Sequence, residues 1–228
     1  FNAAKDSALA ITGGTVNTNG KTLMGESGGT LSVSGGTFDT ETVKGYCAAG
    51  FVPVEKDGVY SVEEDKVAQI GDKTYPSLAD AIAAAKDGDT VTLLKSCSGN
   101  GIAIPVGKFN NKGLIVEFNN YSYTVGGVLV GSTGTKSNAF QLNKDNTITF
   151  QNGKIYGDAA VAGDKLTNWT GAPAMMIQNY SNLTLKSMTI TGGDETVYTM
   201  SNNHGNIVIE DTMITAGKAK GYGSGPFA

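Results

Sequence analysis

Apolar residues recur along this chain in one spaced template. An apolar position is followed by a second two residues on and a third five beyond that. The template fits Val116, Phe118 and Tyr123, then Ile148, Phe150 and Ile155. It fits Leu183, Leu185 and Ile190, and Ile207, Ile209 and Ile214. Near the start it fits Leu9, Ile11 and Val16, and Leu31, Val33 and Phe38. The first two anchors alternate, so they share one face of a strand. Between the second and third lie residues that tolerate a left-handed corner, as in Gly13-Gly14, Gly35-Gly36 and Asn152-Gly153. Strand, corner and strand, repeated about every 22 to 35 residues, is the mark of a parallel solenoid. An antiparallel sandwich also has short strands and frequent turns. The shared offset of seven from first to third anchor favours the solenoid, because hairpins do not need it.

Two segments depart from the template. Ser77 is a good N-cap, and Leu78, Ala81, Ile82 and Ala85 fall on one helical face. This predicts a short helix near 77–86, closed by Asp87-Gly88 and suited to cap a solenoid end. Residues 46–62 carry Phe51, Val52 and Val54, an Asp57-Gly58 turn, then Val59, Tyr60 and Val62. They predict a hairpin that closes the opposite end. The closing element thus precedes the opening one. Residues 1–62 read as the last coils and end cap of a module, 63–66 as a linker, and 67–228 as a start cap with its coils. If 1–62 packs after 228, the anchor spacing stays within the repeat range. That predicts a circularly permuted solenoid, with segment exchange between two chains as the other arrangement.

The quoted segments carry a resemblance. The stretch 67–94, VAQIGDKTYPSLADAIAAAKDGDTVTLL, resembles a start cap common in large bacterial surface proteins with pectate-lyase-like right-handed β-helices. The stretch 31–62, with SGGTFDTETVKGYCAAGFVPVEKDGVYSV, resembles the closing segment of the same modules. The resemblance implies a mostly β chain forming a right-handed parallel β-helix, repeated along a longer protein that is secreted to the bacterial cell surface. Some surface proteins of this kind are similar to adhesins, and some bind host immunoglobulin in the manner of B-cell superantigens. No binding residue is carried over from them.

Composition narrows the chemistry. The chain has 228 residues and a formal net charge of −4, with 39% hydrophobic and 17% charged residues. All 17 basic residues are lysine. A basic nucleic-acid surface and arginine-fork chemistry are not expected. No apolar run is long enough for a membrane-spanning helix. Pectate-lyase-type elimination in such folds typically uses calcium carboxylates and a basic residue, often arginine. Asp194-Glu195 and Glu210-Asp211 are the nearest carboxylate pairs, and Asp158 and Asp194 fall near one corner of adjacent coils. Each reads more simply as a solvated turn or outer ladder. His204, the single histidine, sits in a polar turn. Cys47 and Cys97 could pair in an exported chain, but each lies near a different end segment, so thiols are the default. We therefore expect no catalytic residue, no metal ligand and no cofactor.

The step from Ile148 to Leu183 is long, and its surplus lies within 157–173, GDAAVAGDKLTNWTGAP. An insertion on a rigid scaffold is where binding groups tend to sit. It holds the single tryptophan, Trp169. The expected binding residues are Tyr156, Asp164, Lys165, Leu166, Trp169 and Tyr180. A second expected surface is the column of Tyr156, Thr191 and Thr215. The function expected from this is a non-catalytic surface module binding a host protein or glycan, with an immunoglobulin as the specific partner. A carbohydrate-active enzyme, either polysaccharide lyase or glycoside hydrolase, and a passive stalk repeat are the alternatives.

Overall fold

Strand-forming runs with apolar residues at alternate positions dominate the chain, and the computed structural model resolves them as a mostly β protein. It describes residues 3–21, 28–125, 127–132, 136–157, 173–219 and 225–227. The chain divides into two compact units, Phe1–Lys66 and Val67–Ala228. Among the described residues no helix is long and apolar enough to cross a membrane.

The first unit contains β1 (Ala8–Val16), β2 (Thr30–Phe38), a 3₁₀ helix over Glu41–Tyr46, β3 (Phe51–Lys56) and β4 (Val59–Glu64). Its sheet runs β1-β2-β4-β3. β1 and β2 are parallel, with Leu9 against Leu31, Ile11 against Val33 and Val16 against Phe38. β3 and β4 form the antiparallel hairpin that 46–62 predicts, turned by Asp57 and Gly58, both at positive φ. The hairpin is shifted toward the C-terminus of the expected span. Tyr46 belongs to the 3₁₀ helix, and Glu63 and Glu64 extend β4 into the expected linker.

The second unit opens with β5 (Ala68–Ile70), β6 (Lys73–Tyr75), α1 (Leu78–Ala84) and β7 (Thr90–Leu93). Ser77 caps α1, its hydroxyl accepting the Asp80 N–H at 3.0 Å. Leu78, Ala81 and Ile82 of the helix are buried. The short β5–β6 hairpin, which the apolar template does not show, pairs antiparallel with β7. Then come β8 (Cys97–Gly99), β9 (Ile102–Ile104), β10 (Leu114–Glu117), β11 (Ser122–Val125), β12 (Asn138–Leu142) and β13 (Thr147–Gly157). Next are β14 (Met175–Asn179), β15 (Asn182–Thr191), β16 (Tyr198–Asn202), β17 (Asn206–Glu210), β18 (Met213–Thr215) and β19 (Gly225–Phe227).

From β9 onward the chain shuttles between two sheets. Sheet I runs β17-β15-β13-β10-β7-β5-β6, with β8, β11 and β18 continuing its rungs beyond the corner. Sheet II runs β19-β16-β14-β12-β9. The strands β7 to β19 pair with one another in parallel throughout. Among the described residues of that stretch, antiparallel pairing of chain neighbours is confined to an isolated bridge between Val130 and Asn138.

The anchors line the core. Ile148, Phe150 and Ile155 stack on Leu183, Leu185 and Ile190, and all six are buried. Each contributes roughly 1.5–3 kcal/mol by leaving water. Phe150 meets Phe118 and Phe140 edge-on, at centroid distances of 5.8 and 5.3 Å. The residue that turns each corner has positive φ: Asn152, Ser187 and Asp211.

The template needs correction at three places. Leu114, not Val116, pairs with Ile148, and Val116 pairs with Phe150, while Tyr123 still pairs with Ile155. This rung spends two more residues at its corner, where Asn119 and Asn120 both have positive φ. Phe118 is buried in the corner instead of on the strand. The last rung is also uncovered: Ile207 and Ile214 are half-buried and Ile209 is 41% exposed. At the first unit's outer edge, Leu9 and Val16 are likewise only half-buried. Finally, the strands of sheet II lack the third anchor, so the template passes over them.

Candidate functional site

Sheet II carries a polar column in which Gln141 and Ser201 are buried and Gln178 is half-buried. Phe140, Ile177 and Met200 stack in the core, and the next residues in each strand, Gln141, Gln178 and Ser201, stack beside them. Alternation puts these on the other face. Ala103 continues the column below Gln141.

The column borders two clefts that share Ser132. One, of about 270 Å³, is lined by Val106, Ser132, Gln141, Asn143, Lys144 and Tyr180. The other, of about 180 Å³, is lined by Ser132, Ser137, Asn138, Met175 and Gln178. The polar groups are held in place. Asn138 Nδ2 donates to Gln178 Oε1 at 2.8 Å, and Asn143 Nδ2 donates to the Ile104 carbonyl at 2.8 Å. Gln141 Nε2 donates to Asn143 Oδ1 at 3.4 Å. The Tyr180 backbone N–H donates to the Leu142 carbonyl at 2.8 Å, which ties its backbone to the neighbouring rung.

Below the clefts, two buried asparagines fix the turns that carry Lys144 and Tyr180. Asn146 Nδ2 donates to the carbonyls of Pro105 and Asn143, both at 2.8 Å, and its Oδ1 accepts the Phe109 N–H at 2.7 Å. Asn179 Nδ2 donates to Asn202 Oδ1 at 2.8 Å, and its Oδ1 accepts the Ser181 hydroxyl at 2.7 Å. Satisfied amides in a dry interior are rigid. The clefts therefore offer pre-set amides, with hydroxyl, ammonium and phenol groups beside them and no carboxylate among their lining residues.

A third hollow, about 310 Å³, lies between α1 and β9. It is lined mostly by Ala79, Ile82, Ala83, Ile102, Ala103 and Pro105. Lys108 Nζ closes it by donating to the Ile82 and Ala83 carbonyls at 2.8 and 2.6 Å, near the end of α1. Burial holds the Lys108 ammonium below its ordinary pKa. This lysine caps carbonyls at the helix C-terminus.

Of the expected binding residues, Tyr180 lines the larger cleft. Tyr156 lies in sheet I, in a column with Thr124, Thr191 and Thr215, as the repeat predicts. It borders none of the three hollows. Asp164, Lys165, Leu166 and Trp169 lie outside the described residues. The structure thus brings Tyr180 together with Gln141, Asn143, Lys144 and Ser132, which the sequence reading did not single out. The signal was faint but present: Phe140-Gln141, Ile177-Gln178 and Met200-Ser201 repeat an apolar–polar step ahead of three successive anchors.

The carboxylates are dispersed. Asp158 lies outside the described residues. Asp194 forms a 2.8 Å ion pair with Lys218, both exposed. Glu210 stacks on Lys186, which stacks on Gln151 and then Glu117. Glu117 Oε2 accepts from Gln151 Nε2 and Asn152 Nδ2 at 2.9 and 2.8 Å. Among the described residues no three His, Cys, Asp or Glu side chains group closely enough to hold a metal ion. His204 is exposed at positive φ in its turn. Cys47 and Cys97 are both thiols, and burial pushes the Cys47 thiol above its ordinary pKa.

No family model matches the chain, and neither a curated protein nor a solved structure does.

Proposed function

We propose that the chain is a secreted, cell-surface module built as a right-handed parallel β-helix, and that it binds a host glycoprotein through the paired clefts of sheet II. Parallel rungs that shuttle between two sheets support the helical coil, and parallel crossovers are right-handed in nearly all proteins. The segments 67–94 and 31–62 supply the likeness to bacterial adhesin modules; the helix falls within the first, and the hairpin begins in the second and ends at Glu64.

The observation that carries the binding reading is the lining of the larger cleft. Gln141, Asn143, Lys144, Ser132 and Tyr180 present donors, acceptors and one aromatic ring on a rigid floor. Sugar hydroxyls are met by amides and hydroxyls, and the apolar face of a sugar ring packs on an aromatic ring. Bond cleavage between sugars ordinarily asks for two opposed carboxyl groups, and this lining has none. An immunoglobulin, itself glycosylated, is the specific partner.

The test is surface binding of the 228-residue chain to purified immunoglobulin and to mucin, each with and without its glycans. Saturable binding that falls at least tenfold with Tyr180→Ala, and falls again when glycans are removed, is the expected result. Binding that ignores Tyr180→Ala and Lys144→Ala moves the site elsewhere and overturns the cleft assignment. Release of reducing or unsaturated sugars from polysaccharides would make the protein an enzyme. No binding and no release would leave a structural stalk.

A further inference from the structure

The two units end on edges that match one another. β17 pairs with β15 and β18 pairs with β15, and among the described residues no strand covers their other side. β1 pairs with β2, and among the described residues no strand covers its other side either. Both edges carry the same template: Ile207, Ile209 and Ile214 on one, Leu9, Ile11 and Val16 on the other. In interior rungs these positions are fully buried; here Ile209 is 41% exposed and Leu9, Val16, Ile207 and Ile214 are half-buried.

We infer that the β17–β18 edge of one copy of this chain takes β1 of a second copy as its next parallel rung, in head-to-tail assembly. Ile207 would stack on Leu9, Ile209 on Ile11 and Ile214 on Val16. On the outer face Asn206 would meet Ala8, Val208 would meet Ala10, Glu210 would meet Thr12 and Met213 would meet Thr15. No like charges oppose one another in that register.

The glycines of the corner point the same way. In β2, a side chain at Gly35 would run into the Thr12 carbonyl of the preceding rung, and one at Gly36 would lie 2.9 Å from the Gly14 carbonyl. In β13, a Cβ at Gly153 would run into the Phe118 Cβ of the preceding rung. Corner glycines make room for the rung before. Gly13 occupies the place of Gly35, has no positive φ, and has nothing within 4 Å of where its Cβ would be. Its smallness is unused unless another rung precedes β1. β1 already absorbs register shifts against β2 at this corner. That slack suits the one-residue difference between Asp211 and Gly14 as the left-handed positions.

Chain length decides between one copy and two. β4 ends at Glu64 and β5 begins at Ala68. Four Cα steps span at most about 14 Å. If β1 followed β17 within one chain, the two sheet orders would separate β4 from β5 by eight strand spacings, about 38 Å. The connection is too short for these two edges to meet within the 228 residues, so the matching edge is taken from a second copy. A head-to-tail pair then keeps one edge of each kind free, which permits extension beyond a dimer.

The inference does not depend on the sheet II clefts. Its test is the mass of the 228-residue chain in solution across a wide concentration range, by light scattering and sedimentation. The expected result is a mass that rises with concentration above the 23.5 kDa of one chain. Leu9→Lys and Ile209→Lys each block one edge, so each variant alone stays a single chain. Mixed in equal amounts, they form a two-chain complex that grows no further. Ile214→Lys with Val16→Lys, on the other arm, gives the same pattern, and unchanged circular dichroism shows that the variants fold. A single-chain mass at every concentration overturns the inference. So does self-association of either blocked variant, or a mixture that forms no complex.

Discussion

The rung of β15 and the rung of β17–β18 carry the same template and meet opposite fates. Leu183, Leu185 and Ile190 are buried to within 1% of full exclusion. Ile207, Ile209 and Ile214, one rung along, are half-buried or exposed. The residue types do not explain this, since Ile190 and Ile214 are both isoleucine and pair directly. The difference lies in the neighbours. β15 has β13 on one side and β17–β18 on the other, whereas β17–β18 has β15 alone. In a parallel sheet each strand contacts only those adjacent to it. Burial of an anchor is therefore supplied by the following rung as much as by its own spacing.

The sharpest way to break this comparison is to charge one anchor in each rung. Ile190→Asp would place an unpaired carboxylate in a fully excluded site and should cost about 3–5 kcal/mol. Ile209→Asp puts the same group at a position open to water and should cost far less in the single chain. Urea unfolding of both variants at low protein concentration, followed on the second unit's transition, measures the gap. Equal losses would mean that the inner face of the stack has been wrongly assigned.

The same contrast explains what the sequence discloses. Anchors in sheet I, the helix after Ser77 and the hairpin around Asp57-Gly58 are local or periodic, and each is found where the residues place it. The Val116 rung escapes because two additional corner residues, not visible in the spacing, shift its first arm against β13. Sheet II escapes because each strand holds a single apolar–polar step and then a turn. The cleft is hidden for a related reason. Gln141 and Tyr180 become neighbours only when β12 and β14 come into register. The interval between those strands includes the long insertion, so no fixed period announces the pairing.

A smaller effect should come from Asp87, where the chain leaves α1 for β7. Its carboxylate accepts backbone N–H groups from Lys112, Gly113 and Asn111, at 3.0, 2.9 and 3.3 Å for the nearest contacts. The Lys112 N–H contributes most to holding the Asp87 carboxyl below its ordinary value of 3.8. A carboxylate whose folded pKa is depressed stabilises the fold fully above the unfolded value. That contribution is lost as pH falls through the lower folded value. Asp87→Asn should therefore lower Tm by a constant amount from pH 5 to 8, and the gap should close as pH drops below about 3.8. A gap independent of pH down to strong acid would mean the three N–H groups do not sense the charge.

The smallest change tests the outer face of the well-covered rung itself. Lys186 lies beside buried Leu185 on β15, yet it is exposed, with Gln151 on one side of its column and Glu210 on the other. Alternation turns its side chain away from the core that Leu185 and Ile190 line. A solvated lysine near a single acid on an exposed ladder gains little from the pairing, because water and salt screen it. Lys186→Ala should therefore change stability by no more than about 0.5 kcal/mol. The residual change should shrink further on adding salt. Urea unfolding at low and high ionic strength measures both. A loss approaching that of Ile190→Asp would place Lys186 inside the stack and reverse the two faces of sheet I.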